Sequence, residues 1–322
     1  MLSVEDLKVY FFSDERIARA VDGISYEVRK GETVCLVGES GCGKTVSALT
    51  IMRILPMPPG RIMGGRILFQ GQNLLDLDDE EMQKVRGKQM AMIFQEPMTS
   101  LNPVFTVEDQ IGEAITVHED IGQEELRRRC IQLLRDVGIP SPEERLKDYP
   151  HQLSGGQRQR VMIAMALACN PDLVIADEPT TALDVTIQAQ ILDLMRNLHQ
   201  NLGTSIILIT HDLGVVAEMC QRVAVMYAGE IVEETDVTTL FKEPLHPYTR
   251  GLIGSIPVLG EIKDQLDVIP GNVPNLIDLP LGCRFAPRCR ARVEHELAIC
   301  TRENPDLKPA TAHHTVRCWL YQ

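Results

Sequence analysis

The sequence predicts an α/β fold built on a largely parallel sheet, and three observations carry that prediction. A short apolar β run over residues 33–37 breaks into glycines and is followed by a helical pattern from Lys44. A second run over 173–176 lies between helical stretches at 154–168 and 184–202. A third, over 205–209, follows the last of these helices directly. Strands separated by helices need crossover connections, and crossovers set successive strands parallel.

The remaining elements follow in chain order. Residues 1–35 alternate with a period of two, through Leu7, Val9 and Phe11 and then Ile24, Tyr26 and Val28, as a half-buried hairpin or meander does. The helix from Lys44 should run to about residue 55 and stop at Pro56, Pro58 and Pro59, which cannot donate to a helical ladder. Residues 90–94 read as a strand. From 106 to about 138 the pattern is helical with mixed charges and places Ile111, Ala114 and Ile115 on one face. Strands return over 223–232. Beyond about residue 240, Pro244, Pro247, Pro257, Pro270, Pro274, Pro280 and Pro287 interrupt every regular run, so an irregular appendage is expected. There is no internal repeat and no low-complexity tract.

A chain of 322 residues is long enough for two domains, or for one large domain with an appendage. Lys and Arg number 32 against 45 Asp and Glu, a formal net charge of −13, which repels phosphate backbones and argues against a nucleic-acid partner. No stretch approaches the roughly 18–20 apolar residues of a membrane span. The start, MLSVEDLKVY, lacks the basic and then apolar pattern of a signal peptide. A cytosolic protein is expected, with any link to a membrane made through partners.

Gly38-Glu39-Ser40-Gly41-Cys42-Gly43-Lys44-Thr45 fits GxxxxGK[ST] between a strand and a helix, the setting this phosphate-binding loop requires. Glycines let backbone N–H groups converge on phosphate oxygens, and the helix N-terminus adds a positive dipole end. Lys44 supplies a point charge to the β and γ phosphates, and the Thr45 hydroxyl can ligate Mg²⁺. The apolar run 173–176 ends in Asp177 and Glu178. Burial of that strand would place Asp177 to hold a water of the Mg²⁺ shell and Glu178 to orient or deprotonate an attacking water.

Leu153-Ser154-Gly155-Gly156-Gln157 opens the helix upstream of Asp177. With this signature, in order with the loop and the carboxylates, the sequence resembles the ATP-binding cassette (ABC) ATPases. The resemblance implies a P-loop ABC ATPase cassette over residues 1–240, with a RecA-like α/β core, an antiparallel β subdomain and a helical subdomain at about 98–165. It also implies an irregular Cys-rich C-terminal appendage over 241–322. In that family two cassettes pair head to tail, and each ATP lies between one phosphate loop and the partner's signature. Ser154 and the Gly155 and Gly156 amides at a helix N-terminus would form the second anion cradle, with Gln157 completing the motif. Gln95 looks like the Q-loop glutamine that ligates Mg²⁺. Asp184, in Thr181-Ala182-Leu183-Asp184, looks like the D-loop aspartate that meets the opposite protomer. His211 looks like the switch histidine bonded to the γ-phosphate. Phe11 aligns best with the aromatic that stacks on adenine, with Tyr10 as the alternative; Phe11 is equally compatible with a core role.

Two longer stretches narrow the resemblance. Residues 95–103, QEPMTSLNP, and 177–186, DEPTTALDVT, look like the ATPase subunits of bacterial dipeptide and oligopeptide importers. So do His246-Pro247-Tyr248-Thr249 and the later Ile269-Pro270-Gly271-Asn272-Val273-Pro274. That family implies ATP and Mg²⁺, and a second ATPase subunit, identical or paralogous. It also implies two membrane-spanning permease subunits, an extracytoplasmic peptide-binding protein, and a peripheral position on the cytoplasmic face of the cell membrane. Related importers for nickel or a short sugar share these motifs. A soluble ABC ATPase acting on DNA or ribosomes is the remaining alternative, disfavoured by the single phosphate loop and the acidic charge.

The last cysteines fall as Cys283-x5-Cys289-x10-Cys300-x17-Cys318, without the CxxC pairs of common zinc ribbons. Four thiolates suit a [4Fe–4S] cluster or tetrahedral Zn²⁺, or remain as free thiols. The resemblance favours the cluster. Arg284, Arg288, Arg290 and Arg292 are expected to offset its charge, and Trp319 and Leu320 to shield it. Because every expected nucleotide contact precedes residue 212, disturbing this tail is expected to leave ATP binding intact.

Overall fold

The computed structural model describes residues 1–322 apart from 14–15, 97–99, 182–183 and 256–267, with the backbone alone at 198, 201 and 202. Strands and helices alternate as expected, and the described residues form two compact units.

The first unit comprises Met1–Val28, Thr33–Leu75 and Ile209–Gln322. It holds the strands β1 (Leu2–Ser13), β2 (Arg16–Val28), β3 (Thr33–Val37), β4 (Gly60–Phe69) and β5 (Gln72–Asn73). An antiparallel sheet has the order β2-β1-β4-β5, with Leu2 opposite both Val28 and Phe69. The predicted alternation is its cause: Leu7, Val9, Ile24, Tyr26 and Val28 are buried, whereas Phe11 is only half-buried. β3 is buried along its whole length, as a strand covered on both faces must be, and runs parallel to β9 (Arg222–Tyr227). Cys35 of β3 is joined to Cys220 in a disulfide with Cα atoms 6.0 Å apart.

The helix Lys44–Ile51 ends earlier than the prolines predict. Arg53 at φ 51° turns the chain into the left-handed region, where a helix cannot continue, before Pro56 is reached. The tail is also more regular than its prolines suggest. β10 (Glu230–Asp236) pairs with β9 on one side and β12 (His314–Val316) on the other, and β11 (Lys308–Thr311) pairs with β12. Buried Glu233 accepts the N–H groups of Leu245 and His246 at 2.7 and 2.8 Å and lies 2.7 Å from His314 Nε2. One carboxylate thus fastens two parts of the tail, 245–246 and His314, contacts that a proline count cannot reveal.

The second unit comprises Arg29–Glu32 and Asp76–Leu208. β6 (Met90–Ile93) runs parallel to β7 (Leu173–Asp177), and β8 (Ser205–Thr210) neighbours β7 on its other side. The stretch predicted as helical over 106–138 is two helices, Val107–Thr116 and Gln123–Asp136, parted by a polar segment ending at Gly122. A capping box between Thr106 and Asp109 starts the first. Both pack on the helix Gly155–Leu167, burying Ile111, Ile115, Cys130 and Leu134. Ala114 is only half-buried. No helix among the described residues is long and apolar enough to cross a membrane.

Candidate functional site

β3 delivers the chain into a loop with three glycines at positive φ: Gly38 at 153°, Gly41 at 78° and Gly43 at 106°. Two of them are dictated by space as well. A Cβ at Gly38 would lie 2.2 Å from Met226 O, and one at Gly43 2.2 Å from Ala20 O, both backbone atoms that cannot yield locally. Gly43→Ala is therefore expected to displace the loop and weaken ATP binding by about 10- to 100-fold, the equivalent of the ~1–3 kcal/mol that overpacking costs. Titration of the purified variant with ATP checks this.

Lys44 is 5% exposed and folds back over the loop, its Nζ donating to Gly38 O at 2.8 Å and Glu39 O at 3.1 Å. Burial pushes the Cys42 thiol up, so a neutral sulfur lies 3.6 Å from that ammonium. The Cys42 carbonyl accepts the Gly229 N–H at 2.9 Å, anchoring the loop to the β9–β10 turn. Ser40 and Thr45 are exposed, and Thr45 stands in the first turn of the helix.

Sequence reasoning missed the tail's grip on this loop. Arg288 clamps the Glu39 carboxylate with both ends of its guanidinium, at 2.7 and 3.0 Å. The Tyr248 hydroxyl accepts the Glu39 N–H at 2.9 Å. Nucleotide residues before 212 and the tail are therefore not independent. The position of the nucleotide contacts before residue 212 is therefore no reason by itself to expect ATP binding to survive a disturbed tail.

In the second unit β7 ends in Asp177, 3% exposed, and Glu178 follows at φ 46°. A non-glycine residue in that region carries strain of order 1–3 kcal/mol and must be held by its surroundings. Gln95 Nε2 donates to Glu178 Oε2 at 3.1 Å, and Thr181 Oγ1 donates to the same oxygen at 2.8 Å. The structure thus brings Gln95 and Glu178 together and adds Thr181. It also adds Gln159, 2% exposed, whose amide donates to Pro179 O at 2.8 Å and braces the turn after Glu178. Its sequence signal was a polar residue on the buried face of a helix.

Ser154 caps the helix Gly155–Leu167: its Oγ accepts the Gln157 N–H at 3.3 Å, and Gln157 Oε1 accepts the Ser154 N–H at 2.9 Å. A hydroxyl that accepts still has a proton to donate. A Cβ at Gly156 would meet Ile187 at 3.0 Å, so the small residue lets two helices approach. Exposed Asp184 caps the helix Val185–Leu202 by accepting the Ile187 N–H at 3.0 Å. Ala182 and Leu183 lie outside the described residues. His211 is exposed directly after β8, and Asp212 caps the helix Leu213–Met219 that follows.

Tyr10 is occupied by the tail side of the first unit. Its hydroxyl donates to Asp22 at 2.6 Å, and its ring lines a cavity of about 850 Å³ with Asp22, Glu230 and Arg284. Half-buried Phe11 pairs through its backbone with Ala18 and Gly60 and has no such commitment.

Among the four tail cysteines, the Cys283 N–H donates to the Cys300 carbonyl at 2.9 Å, which brings these two positions together. Burial pushes the Cys283 thiol up to about 12 and Cys318 up to about 11, and raises Cys289 and Cys300 as well. The Cys289 sulfur accepts the Arg292 N–H at 3.3 Å. No group of three or more His, Cys, Asp or Glu among the described residues is drawn tightly enough to hold a metal ion. The arginines divide otherwise than expected. Arg284 pairs with Asp22 and with Glu230, and Arg288 with Glu39. Exposed Arg290 leaves Arg292 as the guanidinium whose charge reaches Cys289 and Cys300.

Comparison with known proteins agrees with this arrangement. Residues 21–181 match the family model of the ABC transporter, and residues 232–295 that of the oligopeptide/dipeptide transporter C-terminal region. The oligopeptide transport ATP-binding protein AppD of Bacillus subtilis is 52% identical over 322 residues, covering 100% of this chain and 97% of the relative. The dipeptide transport ATP-binding protein DppD of the same organism is 50% identical, with 99% and 94% covered. Among solved structures, the ATP-binding cassette MJ0796, a dimer in a post-hydrolysis state bound to ADP and Pi, is 28% identical. It aligns with a TM-score of 0.67 over 74% of this chain and 99% of that one. The cbiO1 protein of Clostridium perfringens aligns with a TM-score of 0.64 over 75% and 90% at 29% identity. A glycine loop that admits no Cβ, a strained glutamate braced by a glutamine, a capped signature helix and full-length similarity therefore converge, and the chain belongs to the ATP-binding subunits of the dipeptide/oligopeptide branch of ABC transporters.

Proposed function

We propose that this protein is the ATP-hydrolysing subunit of an importer for dipeptides or oligopeptides. It would work at the cytoplasmic face of the membrane, in a cassette over 1–240 that carries the tail 241–322. The observation that carries the hydrolytic reading is the Glu178 carboxylate fixed by Gln95 and Thr181 directly after buried Asp177. The C-terminal match to the oligopeptide/dipeptide region supports the cargo. Lys44 and the loop amides of 38–45 bind the triphosphate. Thr45 and Gln95 would ligate Mg²⁺ and Asp177 would hold a water of its shell, and the ion would neutralise phosphate charge. Glu178 orients the attacking water and takes its proton, with Gln95 holding the carboxylate in place, and His211 contacts the γ-phosphate. Phe11 rather than Tyr10 stacks on adenine, since Tyr10 is spent on Asp22. Ser154, Gly155, Gly156 and Gln157 act on the ATP of a second ATPase subunit, identical or paralogous, with Asp184 at the junction. Two permease subunits convert closure into transport, and an extracytoplasmic binding protein delivers peptide. Deleting the gene should abolish uptake of labelled dipeptide or oligopeptide, and restoring it should recover uptake. Undiminished peptide uptake, or selective loss of nickel or sugar uptake, would refute the cargo.

We further propose that Cys283, Cys289, Cys300 and Cys318 would hold a [4Fe–4S] cluster, with Zn²⁺ as the alternative occupant. Four cysteine thiols are the donor type such a cluster takes, and the Arg292 N–H donated to the Cys289 sulfur favours its thiolate. Anaerobically purified protein should be brown with close to four iron atoms per chain. Cys289→Ser should lose the colour and quicken proteolysis over 283–318. Colourless protein with one zinc per chain would replace the cluster with a zinc site, and four alkylatable thiols without metal would remove both.

A further inference from the structure

We propose that Arg288, in the tail, is a positioning residue for the phosphate loop, holding it in its nucleotide-binding shape through Glu39. The inference rests on the ATPase reading of that loop. Three groups of Glu39 are tied at once. Its carboxylate is clamped by the Arg288 fork, its N–H donates to the Tyr248 hydroxyl, and its carbonyl accepts from Lys44. Two of the three ties come from the tail, and the third comes from the lysine expected to meet the phosphates.

The clamp is rigid because everything behind it is packed. The Arg288 side chain is 5% exposed, and its Nε donates to Pro270 O at 2.8 Å. The guanidinium lies over the rings of Tyr227 and Phe285, 5.8 and 6.0 Å from their centroids. The Tyr248 ring packs on the same two rings at 4.6 and 5.5 Å. A planar fork on a carboxylate fixes direction as well as distance, which a lysine cannot do.

The loop needs such a hold. Glycines at 38, 41 and 43 give it access to conformations other residues lack, and with them a large ordering entropy when it closes on phosphate. A clamp that orders the loop beforehand removes part of that cost from binding. The tail thereby contributes to nucleotide affinity without touching nucleotide.

The test is ATP affinity of the full chain, with loop order read independently by amide hydrogen exchange. Arg288→Met and Glu39→Gln should each raise the ATP dissociation constant about 10-fold and speed exchange over 38–43. The double variant should be about 10-fold weaker, not ~100-fold, because one contact is removed twice. Arg288→Lys, keeping charge but not the fork, should lose about 3-fold or more. Arg290→Gln, exposed and outside the clamp, should bind as wild type does. The proposal is overturned if folded Arg288→Met binds ATP within twofold of wild type, or if the two single effects multiply. If Arg288→Met does not fold, Arg288→Lys and Glu39→Gln decide by the same criteria. Wild-type protein that binds no ATP would overturn the nucleotide reading and the clamp with it.

Discussion

Glu178→Gln is expected to lower ATP turnover by about 10²–10⁴-fold while ATP binding persists. The amide keeps the size of the carboxylate but cannot take a proton from water, and removing a positioned base commonly costs that much. The structure sharpens the expectation. Glu178 Oε2 accepts from both Gln95 and Thr181, so the substituted amide can retain at most its oxygen as their acceptor while its other end becomes a donor. The backbone at φ 46° stays as it is, because glutamine has the same side-chain branching as glutamate and carries the same strain there. The triphosphate contacts assigned to Lys44 and the loop glycines are unaltered, so the variant should accumulate as a closed, ATP-loaded dimer by light scattering. Turnover within tenfold of wild type would remove Glu178 from the base position.

Ser154→Arg is expected to abolish hydrolysis almost as completely, by about 10²–10³-fold, the loss seen when one preorganised donor to a developing anion is removed. Its cause differs. Ser154 is a helix cap, and losing its bond to the Gln157 N–H costs the helix about 1 kcal/mol. That structural loss is small. The larger effect follows from the proposed pairing: arginine would fill the exposed helix N-terminus proposed to act on the phosphate held by a second subunit. ATP should still bind to the variant's own loop. Wild-type activity should rise more steeply than linearly with protein concentration, since under the proposed pairing a lone subunit would supply half of each site. Full activity from a proven monomer, or from Ser154→Arg, would remove the signature from the reaction.

Much of this was readable from one strand to the next. The loop from Gly38 to Thr45 needs positive φ at glycines, a property of the local backbone, and the structure shows it at Gly38, Gly41 and Gly43. The helix at Ser154 announced itself by a cap and a glutamine three residues on, and both bonds form. The buried strands β3 and β7 were runs of apolar residues of strand length, and both are buried throughout. Errors arose where a local pattern competed with contacts from elsewhere. The helix at Lys44 ended on Arg53 before its prolines, and the proline-rich tail acquired the hairpin β11–β12 because β10 offered it an edge.

The sequence by itself determined the chemistry: a phosphate loop, two carboxylates at a strand end and a signature cap, each written within a few consecutive residues, and four thiols crowded into the last 40 positions. Tertiary structure alone decided the partners. Arg288 and Glu39 are 249 positions apart, Cys35 and Cys220 are 185 apart, and Gln95 meets Glu178 across 83. Such pairings are chosen by which surfaces the chain buries together, and no periodicity records them. For that reason Arg288 read as a counter-charge for its neighbouring cysteine, when burial against Tyr227 and Phe285 had turned it to the phosphate loop.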